Sequence, residues 1–150
     1  MLRLKDQVAI VTGGGSGIGS GIAVALAREG VRVVICGRRT ASLDETLKIM
    51  RQAGSAGLTV LADLSDPADV DHLVNSTLKE YGRIDILINN AGVGGGAQIH
   101  LHDTEDWDQV MAINLRGQPG MAHAGLSPLP DPNPRYHEGE SGHRHRRQRC

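Results

Sequence analysis

Five of the seven residues from Gly13 to Gly19 are glycine, in the stretch Thr12-Gly13-Gly14-Gly15-Ser16-Gly17-Ile18-Gly19. A backbone this bare can turn tightly, let an anion approach its N–H groups, and let a following helix pack close to the preceding strand. The first N–H groups of a helix have no partner within it and carry partial positive charge, so a helix opening here would receive phosphate. A glycine-rich loop without a ligand would use the same residues, and context separates the two. The apolar run Val8-Ala9-Ile10-Val11 comes before the turn and an alanine-rich amphipathic segment after it. That strand–turn–helix order is the setting of a dinucleotide site. The phosphate loop of nucleoside triphosphatases needs Gly-Lys-Ser/Thr, whereas Gly19 is followed by Ser20 and Gly21, which excludes it.

Further along the chain, other polar residues stand at positions where chemistry is possible. Arg38 and Arg39 follow a second apolar run, Val31–Cys36. Two arginines at a strand end are either solvated loop charges or, because the guanidinium is a planar fork of donors, a clamp for an anion. Asp63 could start a helix, although Ser65-Asp66 can already do that. Asn89-Asn90-Ala91-Gly92 reads equally as a plain turn. Asn114 falls on an apolar helix face, where an amide is costly unless hydrogen-bonded; one reading has it tying down a break in its own helix.

The elements that must position these residues alternate regularly. Val8–Val11, Val31–Cys36, Leu58–Leu61 and Ile84–Ile88 read as strands buried on both faces. Between them, Ile18, Ile22 and Leu26 form one helical stripe, Leu43, Leu47 and Met50 a second, and Val70, Leu73, Val74, Thr77 and Leu78 a third. Ser65-Asp66-Pro67 can open the third helix and Gly82 close it. Asp103 or Thr104 can cap a fourth, with Trp107, Val110, Met111 and Asn114 on one face. Such alternation implies an α/β, Rossmann-like, doubly wound parallel sheet with right-handed crossovers.

The motifs, in this order, make residues 1–117 resemble the short-chain dehydrogenase/reductase family. Thr12 to Gly19 matches its cofactor turn, Asp63-Leu64 its adenine-contact pair, and Asn89-Asn90-Ala91-Gly92 the turn after its fourth strand. Asn114 in Met111-Ala112-Ile113-Asn114-Leu115 matches its helix asparagine. The resemblance implies a nicotinamide dinucleotide held by Gly13, Gly15, Ser16, Gly17, Ile18 and Gly19 at its phosphates. Asp63 and Leu64 would meet the adenine, and Asn90, Ala91 and Gly92 would run beside a ribose. Asn114 would bend its helix and hold a water in a proton relay. The reaction implied moves a hydride between cofactor and a small carbonyl or alcohol substrate, in a homotetramer. At the end of the second strand, an acidic residue would bind a ribose 2′-hydroxyl and a basic one a 2′-phosphate. The acidic position falls on Gly37, and Arg38 and Arg39 follow at once, so NADP(H) is expected over NAD(H).

The family's catalytic serine, tyrosine and lysine find no counterpart. Tyr81 is followed four places on by Asp85 and Tyr136 by Glu140, and the last lysine is Lys79. A free tyrosine titrates near about 10 and needs a neighbouring cation to serve as a base near neutrality. The resemblance therefore implies a sheet truncated after the fourth strand and following helix, and a chain inactive as an enzyme; the alternative is a dinucleotide-binding remnant or a non-functional product. The implied strand order, 3-2-1-4-5-6-7, would make the fourth strand an edge, and the tetramer helices would be largely missing.

From Gln118 to Cys150 there is no apolar stripe, and five of the six prolines lie there. Residues 118–150 are expected to be an irregular, disordered tail, the product of a frameshift or truncation, with a genuine evolved tail as the alternative. A net charge of -1 argues against a polyanionic partner, and the short Arg/His run at the end, without aromatics, argues little for nucleic acid. No apolar run approaches the roughly 20 residues of a membrane span, no secretory signal precedes the first strand, and two cysteines make no disulfide framework. These point to the cytoplasm.

Overall fold

A computed structural model describes residues 4–93 and 104–116. The chain runs β1 (Val8–Thr12), α1 (Gly17–Arg28), β2 (Arg32–Gly37), α2 (Thr40–Gln52), β3 (Leu58–Leu61), α3 (Pro67–Tyr81), β4 (Ile86–Ile88) and α4 (Thr104–Met111), followed by a π-helical turn over Ala112–Arg116. All four strands are parallel, in the order β3-β2-β1-β4.

Alternation along the two inner strands builds two cores. Ala9, Val11, Val33 and Ile35 face one way and meet Ala23, Ala27, Leu43 and Met50 of α1 and α2. Ile10, Val34 and Cys36 face the other way and meet Val70, Leu73 and Val74 of α3. Helices thus cover both faces, the doubly wound arrangement implied by the alternation. The α3 punctuation is as expected. The Asp66 carboxylate accepts the Ala68 N–H at 2.9 Å, Pro67 opens the helix, and Gly82 ends it with φ +73°.

Three expectations are corrected. Helix α1 buries Gly19, Ala23 and Ala27, not the stripe of Ile18, Ile22 and Leu26; Ile22 and Leu26 are half-buried and Ile18 is 77% exposed. Small residues let α1 lie close against the sheet, and larger ones on that face would hold it away. The outer strands β3 and β4 are not buried on both faces: Leu61 is exposed and Ile86, Leu87 and Ile88 are half-buried. β4 also starts two residues late. Asp85 donates its N–H to the Val8 carbonyl and its carboxylate accepts the Val8 N–H, both at 2.8 Å, so a side chain takes over the ladder there. Trp107 of α4 is half-exposed, and the buried residue, Ile113, lies in the π turn that follows. The π turn, with its wider spacing, begins only after Met111, so it shifts Asn114 off the helical spacing that would align it with Trp107, Val110 and Met111. Asp103 and the expected tail, 118–150, lie outside the described residues.

Candidate dinucleotide cleft

Parallel strands place all their C-terminal ends on one edge, and the segments that leave them enclose a cleft of about 670 Å³. The β1–α1 turn brings Gly13, Gly15, Ser16, Ile18 and Gly19 to it. Arg38 and Arg39 reach it from the end of β2, Asp63 and Leu64 from beyond β3, and Asn90, Ala91 and Gly92 from beyond β4. Of the residues singled out in the sequence, Gly17 and Asn114 do not line it.

The glycine turn divides its labour. Gly13 holds φ +65° and Gly17 φ +55°, conformations that favour glycine. A Cβ on Gly14 would stand 2.6 Å from Ile35 Cγ2, and one on Gly19 would strike the Gly13 carbonyl oxygen and lie 2.5 Å from Asn90 Nδ2. Beside Gly17 there is open space. Gly14 donates its N–H to the Cys36 carbonyl at 3.1 Å, which ties the turn to β2.

Helix α1 then opens with Ser16 as an extended N-cap whose side chain makes no capping bond, and no acidic residue stands in the first turn. Helix α2 opens the same way behind Arg39. Both ends keep free donors, whereas α3 neutralises its own start with Asp66 and Asp69.

Around the rim, Asp63 Oδ1 accepts the Ser65 N–H at 3.0 Å and the Ser65 hydroxyl at 2.7 Å. Those bonds, aided by the charge of Arg38 and opposed by partial burial, hold its carboxyl below the usual range. The Asp69 carboxylate fixes the Asp63 N–H at 2.8 Å. Ile18, exposed by its position on α1, lies in the cleft wall.

Among the described residues, Asn114 bonds across to Val93 and not along its own helix. Its Oδ1 accepts the Val93 N–H at 2.8 Å and its Nδ2 donates to the Val93 carbonyl at 2.9 Å, so the amide pairs with one residue's backbone in both directions. That anchors the π turn to the segment after β4. Tyr81 is at the far edge, donating to the Ala56 carbonyl at 2.8 Å ahead of β3; burial, with Glu80 nearby, raises its pKa against a weaker pull from Arg32.

Six lining residues were not singled out as site residues: Cys36, Gly37, Ser42, Ala62, Val93 and Ile113. In the sequence Gly37 signals only a missing carboxylate. Ser42 carried a signal, since it sits three residues into the helix that Arg39 starts. Val93 and Ile113 depend on the Asn114 contact and the π turn, which no local pattern announces. Among the described residues no group of three or more His, Cys, Asp or Glu could hold a metal, and no helix is long and apolar enough to cross a membrane.

A family model described as short chain dehydrogenase matches residues 7–134, a range that runs on past Gly117. An uncharacterized oxidoreductase of Staphylococcus saprophyticus is 39% identical over 118 residues, 78% of this chain and 50% of that protein. A metagenomic short-chain oxidoreductase, solved in complex with NADP, superposes with a TM-score of 0.79 at 34% identity, over 84% of this chain and 57% of that one. The 3-ketoacyl-(acyl-carrier-protein) reductase of Brucella melitensis, complexed with NADH, superposes with a TM-score of 0.75 at 40% identity, over 80% and 48%. The chain spans about half the length of the curated relatives it matches.

Proposed function

The chain belongs to the short-chain dehydrogenase family, and we propose that its cleft binds a nicotinamide dinucleotide, NADP(H) in preference to NAD(H). One observation carries this reading. A helix start with free donors and a strand end with two arginines and no carboxylate open into the same cleft. The cleft volume suits a small-molecule site. Similar proteins have been solved with NADP and with NADH, so the preference rests on Gly37, Arg38 and Arg39 alone.

Gly13 to Gly19 would hold the pyrophosphate on backbone donors, as in other dinucleotide folds. Asp63 and Leu64 would meet the adenine, and Asn90 to Gly92 would border a ribose. When bound, the nicotinamide supplies the hydride donor or acceptor for interconverting a small carbonyl and alcohol. Asn114, tied to Val93, would hold that border in place beside the reacting ring. These 150 residues contain no Tyr-x-x-x-Lys, and Tyr81 is anchored at the far edge of the sheet with its pKa raised. The activity proposed for them is therefore binding without turnover.

Titrating the chain with NADP⁺ and NAD⁺ by thermal shift, and with NADPH by nicotinamide fluorescence, tests the reading. NADP⁺ should stabilise more than NAD⁺, and Arg38→Ala should weaken NADP⁺ far more than NAD⁺. Equal losses would sink the 2′-phosphate assignment, and no shift with either would sink binding. Cofactor-dependent turnover of a carbonyl panel by the pure chain would overturn the inactive reading.

A further inference from the structure

We infer that Ser42 is a further specificity-determining residue of the cleft, its hydroxyl serving as a donor to the 2′-phosphate that marks NADP(H). The inference rests on the proposed dinucleotide cleft and adds to it a contact that neither arginine supplies.

Two observations place Ser42 between the two turns that would grip the adenosine half, and a third shows its hydroxyl free to turn. Ser42 lines the cleft together with Arg38 and Arg39. It also closes against the glycine turn, where a Cβ on Gly15 would come within 2.9 Å of Ser42 Oγ. The hydroxyl makes one bond, donating to the Arg39 carbonyl at 3.0 Å. That carbonyl already accepts the Leu43 N–H at 3.3 Å. If the hydroxyl turns away from Arg39, the acceptor keeps a partner, so the proton can be redirected at little cost.

The residue types fit this role. A serine hydroxyl rotates freely to donate or accept, so it can meet a phosphate oxygen that a guanidinium fork approaches from another side. Its position in the first turn of α2, where no acidic residue stands, keeps the local potential favourable to an anion. A ligand with a plain 2′-hydroxyl brings no charge to this corner, so removing the Ser42 hydroxyl should leave it nearly unaffected.

The test compares the chain with its Ser42→Ala, Ser42→Thr and Arg38→Ala variants. Dissociation constants for NADP⁺, NAD⁺, 2′,5′-ADP and 5′-AMP are measured by calorimetry, and folding is checked by melting temperature. Ser42→Ala should weaken NADP⁺ and 2′,5′-ADP by about tenfold, the loss of one hydrogen bond to a charged group. NAD⁺ and 5′-AMP should move less than about twofold, and Ser42→Thr should restore most of the loss. Equal loss for both ligand pairs would reduce Ser42 to a spacer between the turns and overturn the inference. So would no loss at all while Arg38→Ala remains selective against NADP⁺; the 2′-phosphate reading would then stand without Ser42. If the unaltered chain does not favour the 2′-phosphorylated ligands, that reading and this inference fall together.

Discussion

Thr12 and Asn90 lock the ends of the two strands that flank the cleft. Thr12 Oγ1 accepts the N–H of Asn90 at 3.0 Å and of Ala91 at 2.9 Å, and donates to the Ile88 carbonyl at 3.3 Å. Asn90 Nδ2 returns to the Thr12 carbonyl at 3.0 Å and to that of Gly13 at 3.4 Å. Thr12 is fully buried, so its hydroxyl is spent on the backbone of the neighbouring strand end. The glycine turn and the segment of Asn90, Ala91 and Gly92 are consequently tied together along one wall of the cleft.

Replacing Thr12 with valine keeps the shape and removes the hydroxyl. Two N–H groups and one carbonyl lose their partner together. The expected cost is about 2–4 kcal/mol, since each buried group left unsatisfied costs about 1–3 and part of the strain relaxes. Urea unfolding measures it. Thr12→Ser should retain most of the stability, and a valine variant as stable as the parent would show that the clip contributes nothing.

Gly19 and Gly21, two residues apart on one helix, should respond in opposite directions to alanine. At Gly19 the new methyl collides with the Gly13 carbonyl oxygen and Asn90 Nδ2, so the helix must shift from the turn. Overpacking of this kind costs about 1–3 kcal/mol. It should also weaken NADP⁺ and NAD⁺ alike, because the shared phosphate cradle is what moves. At Gly21 a methyl meets nothing within 4 Å, and alanine should gain about 0.5–1 kcal/mol from helix propensity. Melting temperatures that move the same way in both variants would contradict this assignment.

Much of this was legible in the residues because the determinants are local. The α3 caps follow from Asp66-Pro67 and Gly82, and the buried faces of α2 and α3 follow from their spacing. The strand order agrees with the one that the resemblance implied. The misreadings came where a neighbour decides. Ile18 looked like core because it repeats with Ile22 and Leu26, but the sheet selects the small residues one step round the helix. Asp85 looked like the interior of a strand, and its carboxylate instead replaces a ladder bond while holding the Arg83 guanidinium. The partner of Asn114 lies 21 residues away at Val93, beyond any spacing argument.

Gly37 offers a way to reverse the proposed cofactor preference. Its φ lies outside the left-handed region, and an added Cβ would make only an ordinary contact with Leu43 Cδ2 at 3.6 Å. Gly37→Asp should therefore fold, and its carboxylate would accept a ribose 2′-hydroxyl and repel a 2′-phosphate. NADP⁺ binding should fall by at least about tenfold, given the several kcal/mol that a facing like charge costs, while NAD⁺ binding holds or improves. Calorimetry with both cofactors decides. A parallel loss of both would mean that the end of β2 does not read the ribose.

Cys36 is fully buried beneath the cleft, and that burial, partly offset by a hydrogen bond to the Gly13 backbone, pushes its thiol from 9.0 up to about 11. Near neutrality the floor of the cleft therefore carries no thiolate against an incoming phosphate. The sign for stability follows from the proton. Well below 9.0 the thiol is protonated in both folded and unfolded chains and contributes no pH dependence. Between 9.0 and about 11 the unfolded chain releases the proton and the native one keeps it, so stability falls as the pH rises. The slope approaches about 1.4 kcal/mol per pH unit for one group. Urea unfolding at pH 8, 9, 10 and 10.5 should show this decline in a Cys150→Ser background. Adding Cys36→Ala should lower stability at pH 8 through the lost packing, yet flatten the decline above pH 9. Parallel curves for the two proteins would mean that Cys36 ionises as easily in the folded chain as in the unfolded one, and that the cleft floor is open to water.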